Sequence, residues 1–309
     1  MTRLGLALGS GGARGLAHVG VLSVLESAGL APACIAGTSM GAIIGALYAE
    51  CADSRMLGER LLAYTGNPEF LACWEPFIER DALSNRRSFF SELRRSIVRG
   101  VLTFKTLSTP AQRSAETLMV PLRRLYRAEN IEDLRLPFAC VAVDLLGGEP
   151  HVFSRGSLVT AIYASSAMPG VFPPLAWEDK LLVDGGGPYR VPVGVCSDLG
   201  ADFILAVDIP SFWPEKDEFK TGVDVLMRSD AIARNRLNRL TLEMADLVVT
   251  PAVAGFHWAD FGAAEKICEA GASAMTAALP ALERILHERE SAAARFKRSL
   301  RQLFSRNER

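Results

Sequence analysis

Short apolar runs alternate along the chain with longer stretches in which apolar residues recur at helical spacing. The runs occupy residues 4–8, 32–36, 137–144, 202–208 and 247–251. Uninterrupted apolar runs of this length are typical of strands that are buried on both faces, as in a parallel sheet covered by helices. The pattern therefore predicts an α/β fold with a mostly parallel central sheet.

The spacing of apolar residues also predicts the helices between these runs. We expect helices over residues 16–28, 42–49, 157–167, 223–245 and 261–279, and an amphipathic tail helix from Pro280. Gly147 and Gly148 form the turn of a hairpin, and residues 177–184 form a second hairpin. Residues 168–174 contain three prolines and cannot continue a helix. Together these elements predict three layers, with helices on both faces of the sheet.

The stretch around Ser39 joins the second strand to the second helix by a sharp turn. Gly37 and Gly41 lie two residues on either side of the serine. This G-x-S-x-G spacing is typical of a nucleophile elbow, in which a strained strand-to-helix turn holds the hydroxyl out of the sheet. Glycines are needed because the residues two before and two after the serine approach each other closely. Ser39 is therefore the candidate nucleophile.

A glycine-rich loop, residues 9–15, joins the first strand to the first helix. Backbone N–H groups at such a helix start form an anion site, which has two interpretations: a dinucleotide fingerprint or an oxyanion hole. A dinucleotide site needs an acidic residue about 20 residues farther on, at the end of the second strand, and that strand ends instead at Ser39. His18, on the following helix, is interpreted as a packing or hydrogen-bonding residue.

Asp184 closes an apolar strand and precedes three glycines. A turn aspartate that bonds its own backbone would explain this position. A functional carboxylate would explain it too, because α/β enzymes keep their sites at the carboxyl edge of the sheet.

Composition excludes several classes of protein. Of the 309 residues, 49% are hydrophobic, and the formal net charge of -1 gives no indication of nucleic-acid binding. The six cysteines lie among apolar neighbours without a C-x-x-C pair, as expected of reduced, buried residues. A strand follows the first three residues directly, and no apolar run is long enough to span a bilayer. We therefore expect no signal peptide and a cytoplasmic protein.

Residues 50–135 are rich in arginine, with aromatic and aliphatic residues interleaved. We interpret them as amphipathic helices that form a cap inserted into the main domain, residues 1–280. Residues 281–309 are interpreted as a basic amphipathic tail with a solvated end. Peripheral contact with an anionic membrane, through the basic cap or the tail, is the alternative interpretation of both segments.

Three blocks stand in order along the chain: the glycine-rich loop, the Ser39 elbow and the Asp184-Gly185-Gly186 block. Together with residues 165–174, they resemble the patatin-like phospholipase family, and within it the bacterial group related to the catalytic domain of neuropathy target esterase. The resemblance extends from Leu4 to about Pro210 and fades in the 50–135 insert. It implies a three-layer α/β/α patatin-like fold with a mostly parallel central sheet.

The resemblance also implies hydrolysis of fatty acyl esters of lipids by a Ser–Asp dyad, with no metal and no cofactor. Ser39 would be the nucleophile and Asp184 its base. The amides of Gly11 and Gly12 would form the oxyanion hole, and Arg14 would lie beside it, near a substrate phosphate. The remaining motif positions are Gly15, Gly37, Gly41, Gly185 and Gly186.

The sequence departs from the family pattern at a few positions. Ser10 stands in place of a glycine of the loop, and Tyr163 stands in place of an arginine. Ala167 replaces a serine, and Tyr189 replaces an asparagine. These last changes raise the question of how the Asp184 loop is held.

Other functions stay open on the sequence. A Ser–Asp–His triad would use Ser39, Asp184 and His257 in that order, although His257 is interpreted as a structural histidine near a helix start. A lipid-binding or regulatory protein would keep the same pocket and turn over slowly or not at all. A nucleotide-binding protein is the third alternative.

Overall fold

The computed structural model describes residues 2–68, 70, 71, 74, 109, 111–210, 219 and 222–306. Over these ranges the strands are β1 (Leu4–Leu8), β2 (Cys34–Gly37), β3 (Phe138–Asp144), β4 (Pro150–Phe153), β5 (Leu175–Trp177), β6 (Lys180–Asp184), β7 (Phe203–Val207) and β8 (Leu247–Val249). The helices are α1 (Ala17–Ser27), α2 (Met40–Cys51), α3 (Ser54–Thr65), α4 (Glu116–Leu125), α5 (Leu158–Ser166), α6 (Val193–Asp198), α7 (Gly222–Leu242) and α8 (Ala264–Arg306).

The strands form one sheet whose centre is parallel, in the order β3-β2-β1-β7-β8. β4, β6 and β5 pair antiparallel at the β3 side of the sheet. The prediction of a mostly parallel sheet is confirmed, and the two predicted hairpin segments supply its antiparallel part. Because β1 and β2 are parallel neighbours, the glycine-rich loop and the Ser39 elbow leave the sheet at the same carboxyl edge.

The alternation of side chains along β1 shows that both faces of the sheet are covered by helices. Leu6 and Leu8 belong to the large apolar cluster that also contains side chains of α1, α2 and α8. Ala7, between them, belongs to a second and smaller cluster on the other face. There Val193 and Cys196 of α6 pack against small strand residues. Alternation of side chains along the strand therefore builds the predicted three layers.

The 50–135 insert is described only in part. Asp53 caps α3, since its carboxylate accepts a hydrogen bond from the Met56 amide at 2.8 Å. α4 turns Leu118, Leu122 and Leu125 toward the core. Residues 75–108, in the middle of the predicted cap, lie outside the described residues, so the cap stays a prediction.

α8 is one continuous helix of 43 residues, whereas the sequence pattern suggested a separate tail helix from Pro280. A proline inside a helix removes one hydrogen bond. Met275 and Leu282, on either side of it, are fully buried, and Arg289 pairs with the Asp246 carboxylate. Packing of both flanks against the domain therefore outweighs the lost bond. None of the described helices is both long and apolar enough to cross a bilayer.

The backbones of α1 and α8 touch where each helix has a glycine. A Cβ atom on Gly271 would lie 1.9 Å from the Ala17 carbonyl oxygen, and a Cβ on Gly20 would lie 2.0 Å from the Cys268 carbonyl oxygen. Backbone atoms cannot move aside as a flexible side chain can, so these two positions require glycine. This contact fixes α8 over the helix that follows the glycine-rich loop.

We expect Gly271→Ala to lower the free energy of unfolding by about 2 kcal/mol, because the added methyl group must push α8 away from α1. Urea denaturation followed by circular dichroism measures the change. Gly58→Ala is the matched control, since Gly58 is also inside a helix but its added Cβ would meet no atom closer than 3.9 Å. The control should be neutral or stabilising by up to about 1 kcal/mol. Equal losses in the two variants would contradict the close-contact explanation.

Candidate active site

Ser39 lies at the tip of the turn between β2 and α2. Its backbone has φ 55° and ψ -120°, a combination that residues with side chains seldom adopt. A Cβ on Gly37 would lie 2.5 Å from the Gly41 carbonyl oxygen, so the close approach expected of an elbow is present. The Thr38 amide donates to the Leu8 carbonyl at 3.1 Å. Main-chain hydrogen bonding to β1 thus holds the strained turn in place.

The Ser39 hydroxyl donates a hydrogen bond to the Asp184 carboxylate, with 2.6 Å between Oγ and Oδ2. Both residues are almost fully buried, at 7% and 8% exposure. Within the described residues, the other partner of this carboxylate is the Gly186 amide, which donates to Oδ1 at 2.7 Å. Both interpretations of Asp184 from the sequence therefore apply, since one oxygen closes a local turn and the other accepts from the serine.

Main-chain contacts hold the Asp184 segment at the two positions where side chains of the family pattern are missing. The Asp184 amide donates to the Ala167 carbonyl at 3.0 Å, a bond that needs no side chain at residue 167. The Tyr189 amide donates to the Gly185 carbonyl at 2.9 Å, and the Tyr189 carbonyl accepts from the Thr38 hydroxyl at 2.9 Å. The loop after β6 is therefore tied to its own start and to the elbow.

The two other departures also have partners. The Tyr163 hydroxyl donates to the Pro173 carbonyl at 2.7 Å, which ties the proline-containing segment to α5. The Ser10 amide donates to the Arg190 carbonyl at 2.9 Å, which ties the glycine-rich loop to the Asp184 segment. The four departures are thus compatible with a closed, hydrogen-bonded site.

Ser165 positions the elbow, a role that the sequence reasoning missed. Its hydroxyl accepts from the Ser39 amide at 3.0 Å and donates to the Val141 carbonyl at 2.7 Å. The serine backbone is therefore connected through α5 to β3. The only signal in the sequence was that Ser165 opens the 165–174 segment that carries part of the family resemblance.

Burial raises the pKa of the Asp184 carboxyl from 3.8 to about 6. The charged form loses its hydration in this apolar surrounding, and the hydrogen bonds from Ser39 and Gly186 offset only part of that loss. Below pH 6 the carboxyl keeps its proton, and above pH 6 it can accept one from a neighbouring hydroxyl.

The glycine-rich loop follows β1 and lies beside the elbow. The Gly9 amide donates to the Val207 carbonyl at 3.0 Å, and the Ala13 amide donates to the Trp258 carbonyl at 2.7 Å. Between them, the Gly11 and Gly12 amides donate to no protein acceptor among the described residues. Gly12 has φ 57° and lines the same small cavity as Ser39. Gly12 is therefore next to the serine, and the oxyanion hole of Gly11 and Gly12 stays a prediction.

Two charged or titratable side chains of this region have structural partners. His18 is fully buried, its Nε2 lies 2.7 Å from the Gly9 carbonyl oxygen, and burial lowers its pKa to about 4. The prediction of a packing and hydrogen-bonding histidine is confirmed. Arg14 is also buried and donates to the Pro210 carbonyl at 3.0 Å. Its contact with a substrate phosphate stays a prediction.

His257 lies shortly before the 3-10 helix Phe261–Ala263. Its Nδ1 accepts from the Ala259 amide at 3.2 Å, and its carbonyl accepts from the Asp260 amide at 3.1 Å. His257 is not among the hydrogen-bond partners of the Asp184 carboxylate given above. Within the part of the chain that the structure describes, the hydrogen bonds given for the Asp184 carboxylate come from Ser39 and Gly186.

A small cavity of about 30 Å³ opens at Ser39, enough for about one water molecule. Its other lining residues are Gly12, Met40, Ile43, Tyr64, Phe70, Trp74, Leu118, Ser166, Met168, Phe172 and Phe261. The Ser166 hydroxyl is buried there without a partner in the described part of the chain. The aromatic and aliphatic lining suits an apolar ligand.

A larger cavity of about 580 Å³ lies between α3 and α4. It shares Tyr64 and Phe70 with the small cavity at Ser39. The rings of these two residues are 4.7 Å apart between centroids, and they form the wall between the two cavities. Arg60 and Arg124 also line the larger space.

A model of the family described as patatin-like phospholipase matches residues 6–197, more than half of the chain. This range contains the glycine-rich loop, the elbow and Asp184.

Three curated relatives have similar sequences over about 67% of this chain. An uncharacterised NTE family protein of Mycobacterium bovis is 34% identical over 207 residues, 49% of that protein. Lysophospholipase nte1 of Aspergillus fumigatus is 34% identical over 208 residues, 12% of its length. Patatin-like phospholipase domain-containing protein 6 of Mus musculus is 31% identical over 210 residues, 14% of its length. The aligned stretch is thus half or less of each relative.

The raised pKa of Asp184 predicts a stability cost that appears as pH rises. The folded protein holds the proton up to about pH 6 and the unfolded chain only to about pH 4, so stability falls between these values. We expect Asp184→Asn to gain stability relative to the parent by about 3 kcal/mol between pH 4 and pH 8. Urea unfolding at both pH values measures this difference.

Ser39→Ala is the control, because it removes one hydrogen bond and leaves the buried carboxylate. The stability of Ser39→Ala relative to the parent should not rise between pH 4 and pH 8. A difference between Asp184→Asn and the parent that stays constant with pH would contradict the raised pKa.

Proposed function

Because this chain belongs to the patatin-like phospholipase family, we propose that it is a serine acyl hydrolase of lipid esters with Ser39 and Asp184 as its catalytic dyad. The observation that carries the proposal is the 2.6 Å hydrogen bond between the elbow hydroxyl and a buried carboxylate. A serine hydroxyl is a weak nucleophile until a base is placed against it. Asp184 occupies the position that such a base needs.

In the first step, Ser39 Oγ attacks the ester carbonyl carbon while its proton passes to Asp184 Oδ2. The carbonyl oxygen becomes an oxyanion, which the free amides of Gly11 and Gly12 would stabilise. One such donor is typically worth about 3–4 kcal/mol of transition-state stabilisation. The protonated Asp184 then gives its proton to the leaving alkoxide, and an acyl-enzyme on Ser39 remains. Water, deprotonated by the same carboxylate, releases the fatty acid.

The pKa of about 6 supports Asp184 in this double role. A carboxyl with an ordinary pKa near 4 is a poor proton acceptor for an alcohol at neutral pH. Burial raises its basicity while leaving it ionised at pH 7, so it starts the cycle in the base form. The same burial makes its protonated form a usable acid when the leaving group departs.

The cavities support a substrate with a long apolar chain. The wall around Ser39 is aromatic and aliphatic, and about 580 Å³ of further space lies behind Tyr64 and Phe70. This volume is in the range of small-ligand sites. A shift of these two side chains would join the spaces, and the acyl chain would then extend between α3 and α4. The name lysophospholipase of the Aspergillus fumigatus relative agrees with this substrate class.

The alternatives have less support. A triad needs a histidine against Asp184, and among the described residues the hydrogen-bond partners given for that carboxylate are Ser39 and Gly186. A nucleotide site would need an acidic residue where the second strand ends, and the elbow occupies that place. A purely lipid-binding protein would have no need of a strained serine against a buried carboxylate, and it is the alternative that a probe of the nucleophile tests.

We expect a fluorophosphonate probe to add once to the parent protein and not to Ser39→Ala, as measured by intact mass. Hydrolysis of a short-chain ester should fall by about 10⁴-fold or more in Ser39→Ala and Asp184→Ala, because the nucleophile or its base is lost. His257→Ala should keep activity within about threefold of the parent. Loss of activity in a folded His257→Ala would overturn the dyad. A folded parent that forms no adduct would favour the lipid-binding alternative.

Val120→Trp should shorten the longest acyl chain that is hydrolysed, because Val120 lines the larger cavity and a tryptophan would fill part of it. kcat/KM for a series of p-nitrophenyl esters from four to sixteen carbons measures the effect. We expect activity on the sixteen-carbon ester to fall at least tenfold and on the four-carbon ester less than twofold. Arg123→Trp, on the exposed side of the same helix, is the control. An equal fall in kcat/KM at all chain lengths would mean that the acyl chain does not occupy the larger cavity.

A further inference from the structure

α7 exposes an unusual amount of apolar surface. Seven large apolar side chains on or just after this helix are between 42% and 70% exposed, and six of them, all except Met227, are here named the α7 apolar face. They are Val225, Leu226, Ile232, Leu237, Leu240 and Met244. Single exposed apolar residues are common on proteins, but a row of several along one helix indicates an interaction surface.

The row follows one side of the helix. Leu226, Leu237 and Leu240 are separated by eleven and three residues, which brings them to nearly the same angle around the helix axis, and Met244 lies two residues after the helix ends. The opposite side bonds to the domain through polar groups. Asn238 donates to Asp208 at 3.0 Å, and Asn235 accepts from Arg190 at 3.2 Å. Around Asn235 and Asn238, α7 therefore turns polar side chains inward and apolar ones outward, the reverse of an ordinary surface helix, whereas Leu242 at its end packs against the smaller apolar cluster.

These inward contacts attach α7 to the candidate active site. The Arg190 side chain binds Asn235 of α7, and its carbonyl accepts from the Ser10 amide of the glycine-rich loop. Arg190 also ends the loop that begins at Asp184. The outward face of α7 is thus connected, through one residue, to both halves of the site.

The charged residues beside the α7 apolar face indicate which kind of partner it binds. Arg236 and Arg239 are exposed along one flank of the row, and Arg228 lies about two and three turns before them on the same flank. Within Gly222–Leu242 there are four arginines against two aspartates, Asp224 and Asp230. Apolar side chains flanked by arginines are the pattern of helices that lie in the interface of an anionic bilayer.

We propose that the α7 apolar face inserts into the surface of an anionic phospholipid membrane. From the sequence, membrane contact is the alternative interpretation of the cap and the tail, and here it is assigned to a different element. The contact itself is independent of the catalytic proposal. That it delivers lipid to Ser39 rests on the proposed function.

The test is co-sedimentation of the full chain with vesicles of phosphatidylglycerol and phosphatidylcholine. We expect Leu226→Ser/Leu237→Ser/Leu240→Ser to reduce binding at least tenfold, because three side chains no longer enter the interface. Its thermal midpoint should stay close to that of the parent, since the replaced side chains are exposed. Met56→Ser/Leu62→Ser/Leu146→Ser is the matched control, with exposed apolar residues elsewhere, and should change binding less than twofold.

Arg236→Ala/Arg239→Ala tests the electrostatic part. It should weaken binding about tenfold at low salt, and the loss should shrink at 0.5 M salt, where charge contributes less.

Two results would overturn the proposal. One is equal vesicle binding by the parent and the α7 leucine variant. The other is a parent dimer, seen by light scattering, that the leucine variant dissociates without any change in vesicle binding, which would assign the face to a second copy of the chain. The rate of hydrolysis of a soluble short-chain ester should be the same in the parent and in the α7 leucine variant. A parent that binds vesicles as expected but hydrolyses no ester would refute the proposed function and leave the α7 surface in place.

Discussion

The hydrogen bond between Ser39 and Asp184 is the contact on which the rest of the site depends. It joins residues 145 positions apart in the chain, and it keeps a carboxylate almost fully buried. Such an arrangement persists only when the surrounding fold supplies more free energy than the burial of the carboxylate costs. The sheet supplies it by holding β2 and β6 on either side of β3, with every strand end near the site buried.

Around that contact, main-chain groups provide most of the support. The elbow bonds to β1, the Asp184 loop to the end of α5, and the glycine-rich loop to the Arg190 carbonyl. Ser165 adds a side-chain link from the elbow to β3. Because main-chain bonds depend little on residue type, the site tolerates Ala167 and Tyr189 at positions where the family pattern has other residues.

The fold class and the positions of Ser39 and Asp184 could be predicted because they follow from local rules. Five-residue apolar runs define the strands, and the glycine spacing around Ser39 follows from the closeness of the chain in the turn. Other features depend on contacts between distant segments. The role of Ser165, the continuity of α8 through Pro280 and the reversed polarity of α7 all arise from packing partners far away in the sequence. No local pattern distinguishes a leucine that faces the core from one that faces outward on an isolated helix.

The position of β7 has a consequence for how the limits of this domain are drawn. Sequence similarity to the family model ends at residue 197, yet β7 lies between β1 and β8 and pairs with β1 along its whole length. A boundary set by similarity would therefore cut the sheet in the middle and leave the strand before the glycine-rich loop as an open edge. A segment outside the family model is thus required by the topology of the sheet. The side chains of β7 can differ between relatives, but a strand is needed between β1 and β8.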